Sequence, residues 1–180
     1  MGTRRFAAPS ANGDPAVRGA DRFFSCLDQV LRLEGGFVDD PRDPGGATNR
    51  GVTLATLSRA WGRPAGLEEL KALTADQAAP IYRKFYWEPA GCAALAPGLD
   101  RLVFDTAVNM GVAQARHLLD LAGLVRGAAE AVCAVSAARR ARYRALKGFD
   151  VFGKGWLRRL DAVTATALAE AAGTSDGEAA

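Results

Sequence analysis

The amino-acid sequence predicts a mainly α domain interrupted by one long glycine-rich loop. Three observations carry this expectation. Apolar residues recur three and four apart through most of the chain, as in Phe24, Leu27 and Leu31. No long alternation of polar and apolar residues, the mark of a half-buried strand, is present. The stretch 35–51 gathers Gly35, Gly36, Gly45, Gly46 and Gly51 with Pro41 and Pro44, a density of breakers that no helix tolerates.

The elements follow in order. Residues 1–20 read as a flexible tail, because Pro9, Asn12, Gly13, Asp14 and Pro15 interrupt any helix. Asp21 is the expected cap of a first helix reaching about Leu33. Within the loop that follows, Val38 and Val52 can seed a small β-hairpin. Thr53 caps a second helix whose Leu54, Leu57 and Trp61 share a face, and Gly62 and Pro64 end it. Thr74 and Gln77 form a capping box that opens a third, carrying Ile81, Phe85 and Tyr86 up to Pro89. Further helices are expected over 99–110, 113–122, 129–146 and 156–169, and the small polar residues 171–180 read as a disordered tail. No internal repeat is visible.

Composition narrows the function. A chain of 180 residues fits one domain, and 49% apolar residues suffice for a real core. Cys26, Cys92 and Cys133 are odd in number and lack a Cys-x-x-Cys pair, which argues against a disulfide framework and a zinc site. They read as buried thiols made in a reducing cytoplasm. The N-terminal stretch has no apolar core, so neither a signal peptide nor stable membrane insertion is expected. The net charge of +3, from 23 basic and 20 acidic residues, conceals a local excess. Arg139, Arg140, Arg142, Arg144, Lys147, Lys154, Arg158 and Arg159 share a stretch whose only acid is Asp150. That stretch is either a solvated helix face or an attractor of anionic polymer. Nucleic acid is not an expected partner, since no aromatic interleaving or reader motif accompanies the charge.

The chemistry centres on Glu34, which extends the apolar face of Phe24, Leu27 and Leu31 to the edge of the loop. A partly desolvated carboxyl there would keep its proton near neutrality, as a general acid must. A merely solvated Glu at a helix C-terminus would instead face an unfavourable dipole. Asp39, Asp40 and Asp43 compete to be the ionised carboxylate that would partner such an acid. Gly45, Gly46 and Gly51 permit positive φ or close approach of a sugar to the backbone. Asp105 and Asn109 lie one turn apart on one helix face, and Asn109 either binds a substrate amide or satisfies buried backbone. Tyr82, Tyr86 and Trp87 form either a sugar-stacking wall or part of the core. His117 stands alone and reads as structural or surface.

Four ordered blocks resemble the glycoside hydrolase family 108 lysozymes. The loop carries Glu34-Gly35-Gly36, then Asp43-Pro44-Gly45-Gly46-Ala47-Thr48, then Gly51. Ile81-Tyr82-Arg83-Lys84-Phe85-Tyr86-Trp87 is similar to the family's Ile-Tyr-x-x-Tyr-Trp segment, and Phe104-Asp105-Thr106-Ala107-Val108-Asn109-Met110-Gly111 to its Phe-Asp-x-Ala-Val-Asn-x-Gly helix. The run from Phe152 through Gly155, Trp156 and Arg159 resembles its Phe-x-x-Gly-Trp-x-x-Arg element. Between Leu119 and Arg139 the family's loop with Asp-Gly and Gly-x-x-Thr is replaced by a short Ala-rich stretch. The resemblance implies a lysozyme-like fold and a peptidoglycan N-acetylmuramidase cutting the MurNAc-GlcNAc β-1,4 bond. It assigns Glu34, Asp43 and Thr48 the catalytic roles, an order also similar to the trio of phage-type lysozymes.

The expected organisation is a catalytic region, 21–112, packed as one unit with a C-terminal helical region, 113–170, that resembles a shortened peptidoglycan-binding part. No cofactor or metal is expected. The expected partner is the glycan strand of peptidoglycan, the protein acting as a monomer on the wall after holin-dependent release from the cytoplasm. Two rivals stand beside this reading: a lytic transglycosylase, and a non-lytic wall-binding or secretion-assisting protein on the same fold.

Overall fold

The computed structural model describes the backbone of residues 15–39, 46–123 and 127–173. The chain is mainly helical, with one small antiparallel hairpin. Helix α1 (Pro15–Glu34) starts six residues before the expected cap, so Asp21 lies inside it and part of the expected tail is helix. The fixed φ of proline suits the first helical position, and Pro15 opens the helix instead of breaking it.

The hairpin pairs β1 (Thr48–Asn49) with β2 (Val52–Thr53), and Val38 adds a further bridge to Thr48. Arg50 and Gly51 both have positive φ, 51° and 72°, as a tight two-residue turn matched to strand twist demands. The hairpin is tied down from below. Asn49 Nδ2 donates to the carbonyls of Leu70 and Lys71 at 2.8 and 3.0 Å, and Arg50 Nε to that of Leu73 at 3.1 Å.

Helix α2 (Leu54–Trp61) has the expected Thr53 cap, whose hydroxyl accepts from the Thr56 amide at 3.1 Å. A short helix absent from the sequence reading, α3 (Leu67–Lys71), follows, its start held by Glu69 accepting from the Gly66 amide at 2.7 Å. Helix α4 (Ala75–Tyr82) opens on the Thr74–Gln77 capping box. It widens into a π-helical turn, Arg83–Trp87, marked by the Glu88 amide donating to the Arg83 carbonyl five residues back. The wide turn brings residues five apart to one face, so Tyr82 and Trp87 both point inward.

Helix α5 (Leu99–Met110) is the centre of the molecule, with residues 99–107 buried without interruption. Phe104 packs against Phe23, Tyr82 and Trp87 with ring centroids 5.9, 6.3 and 5.3 Å apart. Such pairs contribute about 1 kcal/mol each beyond their area burial. Around α5 lie α6 (Val112–Ala122), α7 (Ala128–Arg144) and α8 (Phe149–Gly173), the last beginning seven residues before the expected start at Trp156. Gly153 allows the early turns of α8 to form tightly, since a Cβ there would meet the Phe149 ring at 2.7 Å. The C-terminal tail was expected from residue 171, yet Ala171 is buried within α8. Cys26 and Cys92 are buried as expected, and burial pushes the Cys26 thiol up to about 12. Cys133 departs from the expectation and is exposed on α7. Among the described residues, no helix is long and apolar enough to cross a membrane.

Candidate active site

Glu34 is the last residue of α1, where the chain leaves the core for the glycine loop. Its side chain is 20% exposed, and Oε1 accepts from Arg159 Nη1 at 2.6 Å. This corrects the expected apolar setting. What compensates the carboxylate at the helix C-terminus is a guanidinium reaching over from α8. Arg159 turns its remaining edge to α5, where Nε and Nη2 donate to Asp105 Oδ1 at 3.0 and 2.7 Å. Burial works against the charge of Arg159, but Asp105 and then Glu34 outweigh it and drive its pKa upward.

The network continues inward. Asp105 Oδ2 accepts from Nη1 of Arg139, which is fully buried on α7 and also donates to Thr106 Oγ1 at 3.0 Å. Arg139 Nη2 donates to the Tyr143 hydroxyl at 2.8 Å, and that hydroxyl donates to Asn109 Oδ1 at 2.5 Å. One fully buried cation, one partly buried cation and one buried anion are thus linked to Glu34, with every buried side-chain polar atom among the described residues satisfied.

The hairpin closes the other side of Glu34. A Cβ on Gly51 would lie 2.9 Å from both Cγ and Oε2 of Glu34 and 2.3 Å from the Tyr82 hydroxyl. Only glycine fits there, and its φ of 72° suits glycine for the same reason. The Tyr82 hydroxyl donates to the Arg50 carbonyl at 2.7 Å, clamping the turn against α4. Burial, reinforced by the charge of Glu34, raises the pKa of Tyr82 and of Tyr86, so both stay neutral donors.

The expected site residues divide accordingly. Glu34 and Gly51 are in contact, and Thr48 lies three residues from Gly51 in the same hairpin, its hydroxyl donating to the Gly46 carbonyl at 3.3 Å. Gly46 has a φ of 68° with open space around it. Asp43, Asp40 and Gly45 lie outside the described residues. Tyr82 and Trp87 are 0% and 1% exposed, so the expected sugar-stacking wall is core at these two positions. Tyr86 is half-buried beside Tyr82, with ring centroids 5.5 Å apart. Asn109 is exposed and fixed by Tyr143. His117 is exposed on α6.

Arg159, Asp105 and Arg139 form the electrostatic frame, a role the sequence reading did not assign to them. Their signal was position, since Arg159 closes the Gly-Trp-x-x-Arg block and Asp105 belongs to the Phe-Asp-x-Ala-Val-Asn-x-Gly block. The basic stretch shrinks in turn: Arg139 and Arg159 face inward, and Arg140 pairs with Asp161.

Comparison with known proteins agrees with this architecture. The Glycosyl hydrolase 108 family model matches residues 27–111, which contain Glu34, the hairpin and all of α5. The chain is similar to the solved structure of Brucella abortus SagA, at 38% identity over 84% of this chain and 97% of that one, with a TM-score of 0.74. Among curated proteins none matches. The chain belongs to the glycosyl hydrolase 108 family, which makes it at family level a peptidoglycan hydrolase.

Proposed function

We propose that this protein hydrolyses the β-1,4 bond between N-acetylmuramic acid and N-acetylglucosamine, with Glu34 as general acid. The observation that carries the reading is the placement of Glu34. It is a partly exposed carboxylate at the rim of the core, with one oxygen held by Arg159 and the other beside Gly51. Glycoside hydrolysis needs a proton delivered to the leaving oxygen and a second carboxylate that orders water or supports the oxocarbenium charge.

In this reading substrate entry opens the bridge to Arg159, Glu34 delivers a proton to the glycosidic oxygen, and Asp105 retains Arg159 meanwhile. Asp43 takes the second role and Thr48 helps hold the attacking water. Both belong to the loop that begins at Glu34 and returns to it at Gly51. The protein acts on the cell wall as an endolysin-like enzyme, reaching it through a separate export route such as a holin.

Mass spectrometry of products released from purified peptidoglycan tests the reading. Reducing N-acetylmuramic acid ends are the expected product. Anhydro ends would replace it with a lytic transglycosylase, and no product from the folded protein would replace it with a wall-binding role.

A further inference from the structure

A pocket of about 250 Å³ opens where the buried network reaches the surface, lined by Asn109, Gln114, Arg142, Tyr143, Leu146 and Trp156 among others. It lies at the far end of the hydrogen-bond network that starts at Glu34. Asn109 is four residues from Asp105 on α5 and Trp156 three from Arg159 on α8, so they lie about 6 and 4.5 Å along their helices from Asp105 and from the Arg159 that holds Glu34. One substrate molecule reaches both places.

The chemistry of the pocket is one-sided. The Tyr143 hydroxyl receives hydrogen bonds from Arg139 and spends its only proton on Asn109 Oδ1. That fixes the Asn109 amide and leaves its nitrogen to donate outward. Gln114 adds a second amide, and Arg142 is an exposed guanidinium with no ion pair among the described residues. No carboxylate lines the pocket. Trp156 stacks with Tyr143 at 5.4 Å and with Phe152 at 5.9 Å, so its faces are occupied by protein and offer no platform for a sugar ring. The volume is also below the roughly 300 Å³ at which ligand pockets usually begin. A small, donor-rich, cationic recess of this kind takes a branch of the substrate that ends in an anion.

Resting on the peptidoglycan reading above, we propose that this pocket binds a free carboxylate on the peptide branch of the glycan strand. Arg142 is its counter-ion, with Asn109 and Gln114 as donors. The enzyme then favours strands that carry peptides over bare glycan.

Calorimetric titration of the full chain tests this, with N-acetylglucosaminyl-N-acetylmuramyl tetrapeptide as the probe. That probe lacks the MurNAc-GlcNAc bond and is not consumed. Arg142→Gln should weaken binding about tenfold, the scale of a charge-assisted hydrogen bond at a partly exposed site. The same loss is expected when wild-type protein meets the probe with its carboxylates amidated, and Arg142→Gln should add nothing to it. Unchanged binding by a folded Arg142→Gln protein would overturn the proposal, as would equal affinity for the peptide-free disaccharide. Because the titration needs no turnover, the two readings separate. Arg142-dependent binding by a protein that cuts no glycan keeps the pocket and removes the hydrolase, whereas normal cutting with carboxylate-blind binding does the reverse.

Discussion

Arg159 holds Glu34 and Asp105 at once, through Nη1 to the first at 2.6 Å and through Nε and Nη2 to the second at 3.0 and 2.7 Å. One guanidinium therefore joins the end of α1 to the middle of α5 from a position on α8. The planar fork of arginine makes this possible, because its donors point along two edges from one rigid centre.

Arg159→Lys keeps the charge and loses the fork. A single ammonium cannot address both carboxylates in the same geometry, so Glu34 loses the placement in which it meets the substrate. Turnover of peptidoglycan should fall at least tenfold with little change in KM, since misplacing a reacting group by about 1 Å costs on that scale or more. Steady-state kinetics with matched circular dichroism spectra check this. Wild-type kcat from the lysine variant would show that the bridge positions nothing.

Glu34→Gln removes the titrating group and keeps an oxygen able to accept from Arg159. Its melting temperature should stay within a few degrees of wild type while activity drops by roughly 10²–10⁴, the usual contribution of general acid catalysis. A folded Glu34→Gln protein that clears sacculi at the wild-type rate would sink the mechanism.

Much of this was readable in the chain, and the exceptions share a cause. Thr53 and the Thr74–Gln77 box are local signals, decided by bonds within three residues, and both caps are where the sequence places them. Glu34 was legible because it leads from an apolar helix into a glycine loop, although the buried face of that helix runs through Phe23, Leu27 and Val30 and leaves Phe24 of the expected face exposed. Its partner was not, since Arg159 lies 125 positions away and its place at the end of the Gly-Trp-x-x-Arg block does not say what it pairs with. The same limit explains Arg139, read as part of a cationic stretch although it is fully buried. Tyr82 and Trp87 looked equally fit for core or cleft, and the π-helical turn that sends both inward has no sequence signature. The early start of α8 was not legible, because Gly153 and Gly155 lower helix propensity there and the packing of Gly153 against Phe149 is a tertiary effect.

Asp105 is the shared anion of two guanidiniums, one of them fully buried. Asp105→Ala should cost about 3–5 kcal/mol, because it strands Arg139 in the core. For a domain of this size that is a fall in melting temperature of roughly 10 °C. Asp28→Ala provides the contrast, since its pair with Arg32 has side chains 65% and 70% exposed. That change should move stability by no more than about 0.5 kcal/mol. Similar losses from both variants in thermal melts would show that the buried network contributes no more than a surface pair.

Gly51→Ala introduces both a strained φ and a clash with Tyr82 and Glu34. Gly62→Ala introduces the strain alone, for Gly62 has a φ of 68° and nothing within 4 Å of an added Cβ. Each should lose about 1 kcal/mol from backbone strain. Only Gly51→Ala should also lose activity, by tenfold or more, as the hairpin is pushed away from Glu34. Equal activity in the two variants, measured at a temperature where both are folded, would detach the hairpin turn from the catalytic geometry.

A second ion cluster, away from Glu34, sets the acid limit of the fold. Glu170 on α8 accepts from Arg22 Nη2 at 2.8 Å and from Arg101, which is buried on α5. Burial alone would raise the Glu170 pKa, but hydrogen bonds from Arg101 and Arg22 outweigh it and hold the carboxyl at about 2. A pKa depressed by folding means that the unfolded chain binds the proton more readily. Stability from this group is therefore complete above about pH 4.5 and drains away as pH falls toward 2. The loss should be on the order of 2–3 kcal/mol. Glu69 shifts in the same direction through Arg63, but that pair lies on the surface and added salt should screen it. Melting temperatures recorded from pH 6 to pH 2 in moderate salt should accordingly fall for the wild type. Glu170→Gln should start lower at pH 6 and fall less across the same window. Parallel curves for the two proteins would mean that Arg22 and Arg101 gain nothing from the charge of Glu170.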